Sequence, residues 1–341
     1  MLMNTNFREN GRQFFSGLST KIWLESELIR SWTVADAELF ADILRSPDME
    51  LPGMGSVIAH IENRTGQRFE NLHTASRLIP VMMEGAEHAT LRRALAVYLS
   101  AKTLQAEHQL PNLVKDTLKP FQIRSRFDVY HDVVRPLIHQ FISQLVGKAV
   151  TQDLIDLRLD LILLANKSPV HLRDLDRRFG VAIDFLKSDC LDEIELACKI
   201  CCITFGSETL CMMLVESMLS AIDASSLLKT AKLPIFPVET GVPQTWRRVT
   251  KDTAIAGQNL RAGDIVKLQL QAAGYANRPP LNNLIFGAGV HSCIGKQVTL
   301  ALWEKFSTAF NDLRIHGRVG KYVAMIEPHM IRYEKAEIEI L

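Results

Sequence analysis

The stretch FGAGVHSCIGKQ (residues 286–297) sets one cysteine in a glycine-rich turn directly ahead of a helix-forming run. From Gly295 onward, Val298, Leu302, Phe306, Phe310 and Leu313 form one apolar stripe at helical spacing, so the turn is expected to lead into an amphipathic helix. The glycines at 287, 289 and 295 let backbone approach backbone or ligand closely. A helix beginning near Gly295 would direct amide donors and a positive dipole end toward Cys293 and so favour its thiolate, the form that binds a metal. A lone cysteine is more often a small inert hydrophobe, and that reading stands beside the functional one. A dinucleotide-binding loop is a weaker alternative: LNNLIF (281–286) could be its strand and Gly287-x-Gly289 its start, but the third glycine position holds Ser292 and no suitable acid follows the helix.

Composition narrows the setting for this turn. The chain has 341 residues, 47% of them apolar, and its 39 basic and 38 acidic side chains nearly cancel. It can bury a large core, and it has no global field to draw nucleic acid or acidic lipid, so neither is an expected partner. No linker, repeat or low-complexity stretch divides it, and one domain over residues 1–341 is expected. The opening MLMNTNFRENGRQFF lacks the apolar core of a secretory signal, which points to a cytoplasmic protein.

Five of the six cysteines lie between Cys190 and Cys211, a region of helical character where a disulfide framework is hard to close, so reduced thiols are expected. Cys198, Cys201 and Cys202 have the spacing of half a zinc site, but no second ligand pair follows, and small buried residues are the better reading.

Hydrophobic periodicity predicts a mainly α chain with a small β portion. TKIWLESELIRSWTV (20–34) is strand-like, and ADAELFADILRS (35–46) is helical up to Pro47. From about Ala86 to Leu228 nearly everything has helical period, with breaks at Lys119-Pro120 and Ser168-Pro169. VKLQLQ (266–271) and the C-terminal AEIEIL alternate as strands. LACKICCITFGSETLCMMLV (196–215) is long enough to cross a bilayer, but Lys199, Glu208 and the polar Gly-Ser-Glu-Thr island favour a helix through a large core.

Phe286, Gly289, His291, Cys293 and Gly295 fit the pattern F-x-x-G-x-H-x-C-x-G, which resembles the haem-binding loop of the cytochrome P450 monooxygenases. The resemblance implies Cys293 as axial thiolate on the iron of haem b (iron protoporphyrin IX), Phe286 packed near the sulfur and His291 near a haem propionate. A thiolate ligand promotes cleavage of the O–O bond, whereas a histidine ligand is suited to oxygen carriage. Gly206-Ser207-Glu208-Thr209 is similar to the family's oxygen-activation segment, with Phe205 where a small residue is usual. It implies that Gly206 loosens the helix while Glu208 and Thr209 handle protons for dioxygen. Buried polar groups in an apolar helix need partners, which supports a functional reading over a simple kink.

His88 and Arg92, four apart in EHATLRRAL, resemble the family's propionate-holding H-x-x-x-R helix, although such a pair alone is commonly a solvated face. TWRRVTKDTAIAGQNLRAGDIV (245–266) resembles the family's strand pair that carries a further propionate ligand, and within that resemblance the spacing to Asp252 assigns the role to Arg247 over Arg248. Arginine suits that task through its bidentate grip on carboxylates.

The resemblance runs from about residue 20 to the end and breaks in one place. PVETGVPQTWRR (237–248) offers Glu239 but no arginine three residues on, so the E-x-x-R motif is broken and its helix is expected to be cut short. YANRPP (275–280) passes at once to LNNLIF, trimming the meander before the loop and leaving Arg278 as its remnant. The function implied is oxidation of a small, largely apolar substrate by dioxygen, with electrons from a separate ferredoxin and ferredoxin reductase docking near Arg92, Arg93 and Lys296. Residues 69–85, with Leu78, Ile79, Val81, Met82 and Met83, the helices between about 150 and 190, and the central helix would line the substrate pocket. Alternatives are a haem-free relative that activates a partner enzyme and a peroxide-driven or non-oxygenating haem-thiolate enzyme.

Overall fold

Asp36 opens the first helix as its periodicity predicts: the carboxylate accepts a hydrogen bond from the Glu38 amide at 3.0 Å. The helix Ala37–Arg45 then buries Phe40, Ile43 and Leu44 and stops before Pro47. Burying each such side chain contributes about 1.5–3 kcal/mol. In this computed structural model of the protein, the described residues are 22–26, 30–51, 53–155, 157, 169–225, 229–276, 279–326 and 331–341. The N-terminal segment and Arg278, both singled out from the sequence, lie outside them.

The fold is mainly α with a small β portion, and the backbone groups into two compact units. One unit comprises Leu51–Ala106 and His139–Glu208, and its described residues form helices without a strand. Within it the helices Glu70–Leu78, Pro169–Lys187 and Glu193–Cys201 pack on one another.

The other unit, with residues up to Glu50, Glu107–Ile138 and Thr209–Leu341, holds all the described strands. The strands β1 (Ile22–Ser26), β2 (Ser31–Val34), β3 (Met49–Glu50), β5 (Gln244–Val249) and β8 (Ile265–Gln269) form one sheet in the order β1-β2-β8-β5-β3. The strand β4 (Arg126–Asp128) joins β9 (Gly317–Ile326) and β10 (Ile331–Ile340) in the order β4-β10-β9. A hairpin of β6 (Thr253–Ile255) and β7 (Gln258–Leu260) completes the set. β4 interrupts a region whose period is helical throughout, because it is three residues long and follows its partner β10 instead of a local pattern.

Alternation along β8 buries Val266 and Leu268, and its pairing with β5 sets Arg247 opposite Val266. Side chains directly opposite one another share a sheet face, so Arg247 is turned inward and buried. Arg248 takes the other face, is 47% exposed, and is ion-paired with Glu50 on β3. Sheet period thus separates two arginines that sequence separates only by spacing.

The 31-residue run Glu193–Asp223 has the length and hydropathy of a membrane span, but 83% of its most apolar window is buried inside the protein. A π-helical turn at Cys202–Gly206 distorts it just before Glu208. Hydroxyl groups in this region bond back to the preceding turn, as Thr204 does to the Ile200 carbonyl at 2.8 Å. Burial pushes the thiols of Cys198 and Cys202 up to about 12, the behaviour of inert core cysteines.

Where the E-x-x-R helix would stand, residues 230–243 contain no helix, and backbone and side-chain hydrogen bonds tie them to neighbouring elements. Asn311 bonds both backbone groups of Leu233, at 2.8 and 3.0 Å. The Trp303 indole donates to the carbonyls of Pro234 and Ile235 at 3.1 and 3.2 Å. Further along, Glu239 is buried and accepts the hydroxyls of Ser220 at 3.0 Å and Tyr275 at 3.4 Å.

At the sheet's other end, Asp264 is buried and accepts Arg30 Nε at 2.8 Å, Arg30 Nη2 at 3.1 Å, the Trp32 indole at 2.8 Å and the Arg261 amide at 3.1 Å. Burial alone would raise its pKa, but the hydrogen bonds from Arg30, the Arg261 amide and Trp32 outweigh it and hold the carboxyl below the ordinary 3.8. A folded-state pKa below the unfolded one stabilises the fold above the unfolded value, and the contribution is lost as pH falls through the folded-state value. Asp264→Asn is therefore expected to cost about 2 kcal/mol at neutral pH. Acid titrations followed by circular dichroism should also show the variant losing less stability than the parent chain below pH 3.8.

Candidate active site: the cysteine turn and its supports

The loop around Cys293 is closed by its own backbone. The Cys293 amide donates to the Phe286 carbonyl at 2.6 Å, the Ser292 amide to Gly289 at 3.1 Å and the Gly287 amide to Leu284 at 2.9 Å. Gly287 and Gly289 both lie in the left-handed region, with φ of 69° and 70°. A Cβ on Gly289 would sit 2.4 Å from the Leu44 carbonyl oxygen, so the loop lies backbone to backbone on the end of the helix Ala37–Arg45. LNNLIF is a 3-10 helix, which removes the strand that a dinucleotide-binding loop requires.

The helix Lys296–Asp312 starts at Gly295, and Val298, Leu302, Phe306 and Phe310 are buried along it as the stripe predicts. Its first amide, on Lys296, donates to the Cys293 carbonyl at 3.4 Å. Cys293 is exposed, in contrast to the buried Cys198, Cys202 and Cys211. Its Sγ lies 3.9 Å from the point where a Cβ on Gly295 would be, an ordinary van der Waals distance. His291 is half-buried on the 3-10 turn Gly289–His291. The Phe286 ring meets Phe236 edge-on at 6.0 Å, and the Lys296 ammonium lies 5.7 Å above it while bonding Asn283 at 3.1 Å. Neither Phe236 nor Asn283 carries a motif, and both were invisible in the sequence.

Arg247 belongs to the same unit as this loop, donating to the Trp246 carbonyl at 2.7 Å and the Thr245 hydroxyl at 3.4 Å. His88 and Arg92 belong to the other unit, on the helix Gly85–Glu107. His88 is buried, and its pKa is lowered by that burial and by the Arg92 charge, so the imidazole is neutral at pH 7. Glu208 and Thr209 are neighbours on the helix Ser207–Asp223, with Glu208 buried and Thr209 partly so. Gly206, ending the π-helical turn, leaves room for the Ile142 side chain: a Cβ there would come within 3.3 Å of it. Of the pocket-lining candidates, Leu78 and Ile79 are buried and Val81 is 40% exposed.

No protein-family model matches the sequence, and none of the curated proteins does. Solved structures match over essentially the whole chain. P450BioI, solved in complex with an acyl carrier protein ligated to hexadec-9Z-enoic acid, superposes with a TM-score of 0.76 at 18% identity over 99% of this chain and 100% of that one. P450 RauA, complexed with a biosynthetic intermediate of aurachin RE, gives 0.72 at 14% identity over 99% and 98%. CYP109B1 from Bacillus subtilis gives 0.67 at 16% identity over 98% of each chain. The chain has the cytochrome P450 fold.

The cofactor that the P450 fold implies is haem, and the donor set fits it. An exposed thiol on a backbone-closed turn is a suitable soft ligand, and buried Arg247 of the same unit is a donor of the kind carboxylates require. Gly289→Ala tests the turn itself. Left-handed backbone and the collision with Leu44 should together lower stability by about 2 kcal/mol or more, measured by thermal unfolding of haem-free protein, whereas Ala at exposed Cys293 should leave that melting temperature nearly unchanged.

Proposed function

We propose that this P450-fold protein is a haem-thiolate monooxygenase that oxidises a small, largely apolar organic substrate. The observation that carries the reading is Cys293: the one exposed cysteine of the described residues stands on a glycine-braced turn at a helix start, on the P450 fold. When bound, haem b would supply the reductive activation of dioxygen that no side chain can perform. Cys293 would hold the iron as thiolate, and His88, Arg92, Arg247 and His291 would hold the propionates. Charge-assisted bonds from arginine make that grip strong, and a neutral His88 can donate one further hydrogen bond.

Thr209 and Glu208 handle the protons that dioxygen reduction consumes. The Thr209 hydroxyl passes a proton on, and the buried Glu208 carboxyl resupplies it. The distorted turn Cys202–Gly206 frees helical backbone next to them, an arrangement that recurs at functional sites. Electrons come from a separate protein, a ferredoxin with its reductase, and Arg92, Arg93 and Lys296 are the cations of the docking face. Because P450BioI was captured with an acyl carrier protein, a carrier-linked substrate belongs among those to be screened.

A second reading has one observation in its favour. The non-helical segment 230–243, in place of an E-x-x-R helix, is a departure that a haem-free partner-activating protein could tolerate. The deciding measurement is the carbon monoxide difference spectrum of dithionite-reduced protein expressed with ample haem. A strongly red-shifted Soret band is expected; folded protein that takes up no haem would put the partner-activating reading first. Cys293→Ala should abolish that band without unfolding the chain, and an unchanged spectrum would remove Cys293 as ligand. Thr209→Ala should keep haem content while most reducing equivalents appear as hydrogen peroxide, assayed against NADH consumption. Fully coupled turnover would take Thr209 out of proton transfer.

A further inference from the structure

The segment Pro237–Val242 touches the helix Ser207–Asp223 at two places. Glu239, 2% exposed, accepts one hydroxyl on each carboxylate oxygen: Ser220 on Oε1 at 3.0 Å and Tyr275 on Oε2 at 3.4 Å. Two residues on, Gly241 lies directly on the backbone of Thr209. A Cβ at position 241 would fall 1.9 Å from the Thr209 carbonyl oxygen, 2.5 Å from its carbon and 2.6 Å from its Cα. No real Cβ makes such an approach, so any other residue must displace the segment or the helical turn.

Thr209 and Ser220 are eleven residues apart, three turns and about 16 Å along one face of the helix. The segment therefore lies along that face, held at one end by a side-chain carboxylate and at the other by backbone contact. Its far side is equally close-packed, since a Cβ on Gly274 would sit 1.8 Å from the Val238 carbonyl oxygen. Thr240 stiffens the bend between the two contacts, its hydroxyl donating to the Val242 carbonyl at 3.0 Å and accepting the Val242 amide at 3.1 Å. Upstream, Trp303 and Asn311 fix residues 233–235 to the helix Lys296–Asp312.

We propose that Glu239 and Gly241 are positioning residues for Thr209: Glu239, through Ser220 and Tyr275, presses Gly241 against the Thr209 carbonyl and so fixes the helical turn that carries the Thr209 hydroxyl. The inference rests on the proton-handling role proposed above for Thr209. It also gives a physical role to a glutamate that has no arginine three residues on. The hydroxyls of Ser220 and Tyr275 donate to its carboxylate, and the non-helical segment reaches Thr209. A carbonyl so enclosed keeps its helical bond to the amide four residues on, Met213, which makes hydrogen exchange there a direct reporter.

The test compares Glu239→Gln, Gly241→Ala and the milder Tyr275→Phe with the parent chain. Amide hydrogen exchange is read over residues 209–216 and, as control, over the helix Lys296–Asp312 in full-length protein, with and without haem. The first two variants should speed exchange in 209–216 by tenfold or more while the control helix is unchanged, with Tyr275→Phe intermediate. In haem-loaded protein the same variants should raise the peroxide fraction as Thr209→Ala does, at unchanged haem content and unchanged KM. Unaltered exchange, or equal acceleration in both helices, would overturn the brace. Local acceleration with an unaltered peroxide fraction would overturn its positioning role. If no variant and no parent protein takes up haem, the monooxygenase reading fails by itself, and the exchange data still decide whether the segment holds the Thr209 turn.

Discussion

The 2.6 Å hydrogen bond from the Cys293 amide to the Phe286 carbonyl closes the turn on which the candidate site depends. It requires left-handed backbone at Gly287 and Gly289, and it brings Gly289 against the Leu44 carbonyl. The helix carrying Leu44 is packed by Phe40, Ile43 and Leu44 into the core that Val249, Val266 and Leu268 form beneath the sheet. The place of one exposed sulfur is thus tied, backbone by backbone, to the buried apolar cluster beneath the sheet. Rigidity of this kind suits a metal ligand, because a ligand that need not be ordered on binding loses little entropy.

Two buried carboxylates of this unit meet hydrogen-bond donors: Asp264 meets a guanidinium, an indole and an amide, and Glu239 meets the hydroxyls of Ser220 and Tyr275. The two solutions differ in consequence. The Arg30 pair on Asp264 closes the start of β2 onto the turn before β8, whereas hydroxyl donors on Glu239 bind a non-helical segment along the helix of Thr209.

Much of the fold was legible because local pattern and tertiary role agree. The helices Ala37–Arg45 and Lys296–Asp312 and the alternation in β8 and β10 each bury the face that their period predicts. The cysteine turn was legible for a different reason: glycines at fixed offsets record where backbone must approach backbone. Other features left no such trace. β4 is three residues in a helical context, LNNLIF has an apolar content that suits strand and 3-10 helix alike, and Arg247 differs from Arg248 only by which sheet face it occupies.

The sequence by itself determined the helical body, the small β portion, the cysteine turn and the polar island in an otherwise apolar helix, because each is written in neighbouring residues. Only the tertiary structure decided that Glu239 would take Ser220 and Tyr275 as partners and that Gly241 would lie on Thr209. Those contacts join positions 19, 36 and 32 residues apart. No local period encodes them, since they arise only when separately formed elements pack and their backbones are forced within van der Waals reach.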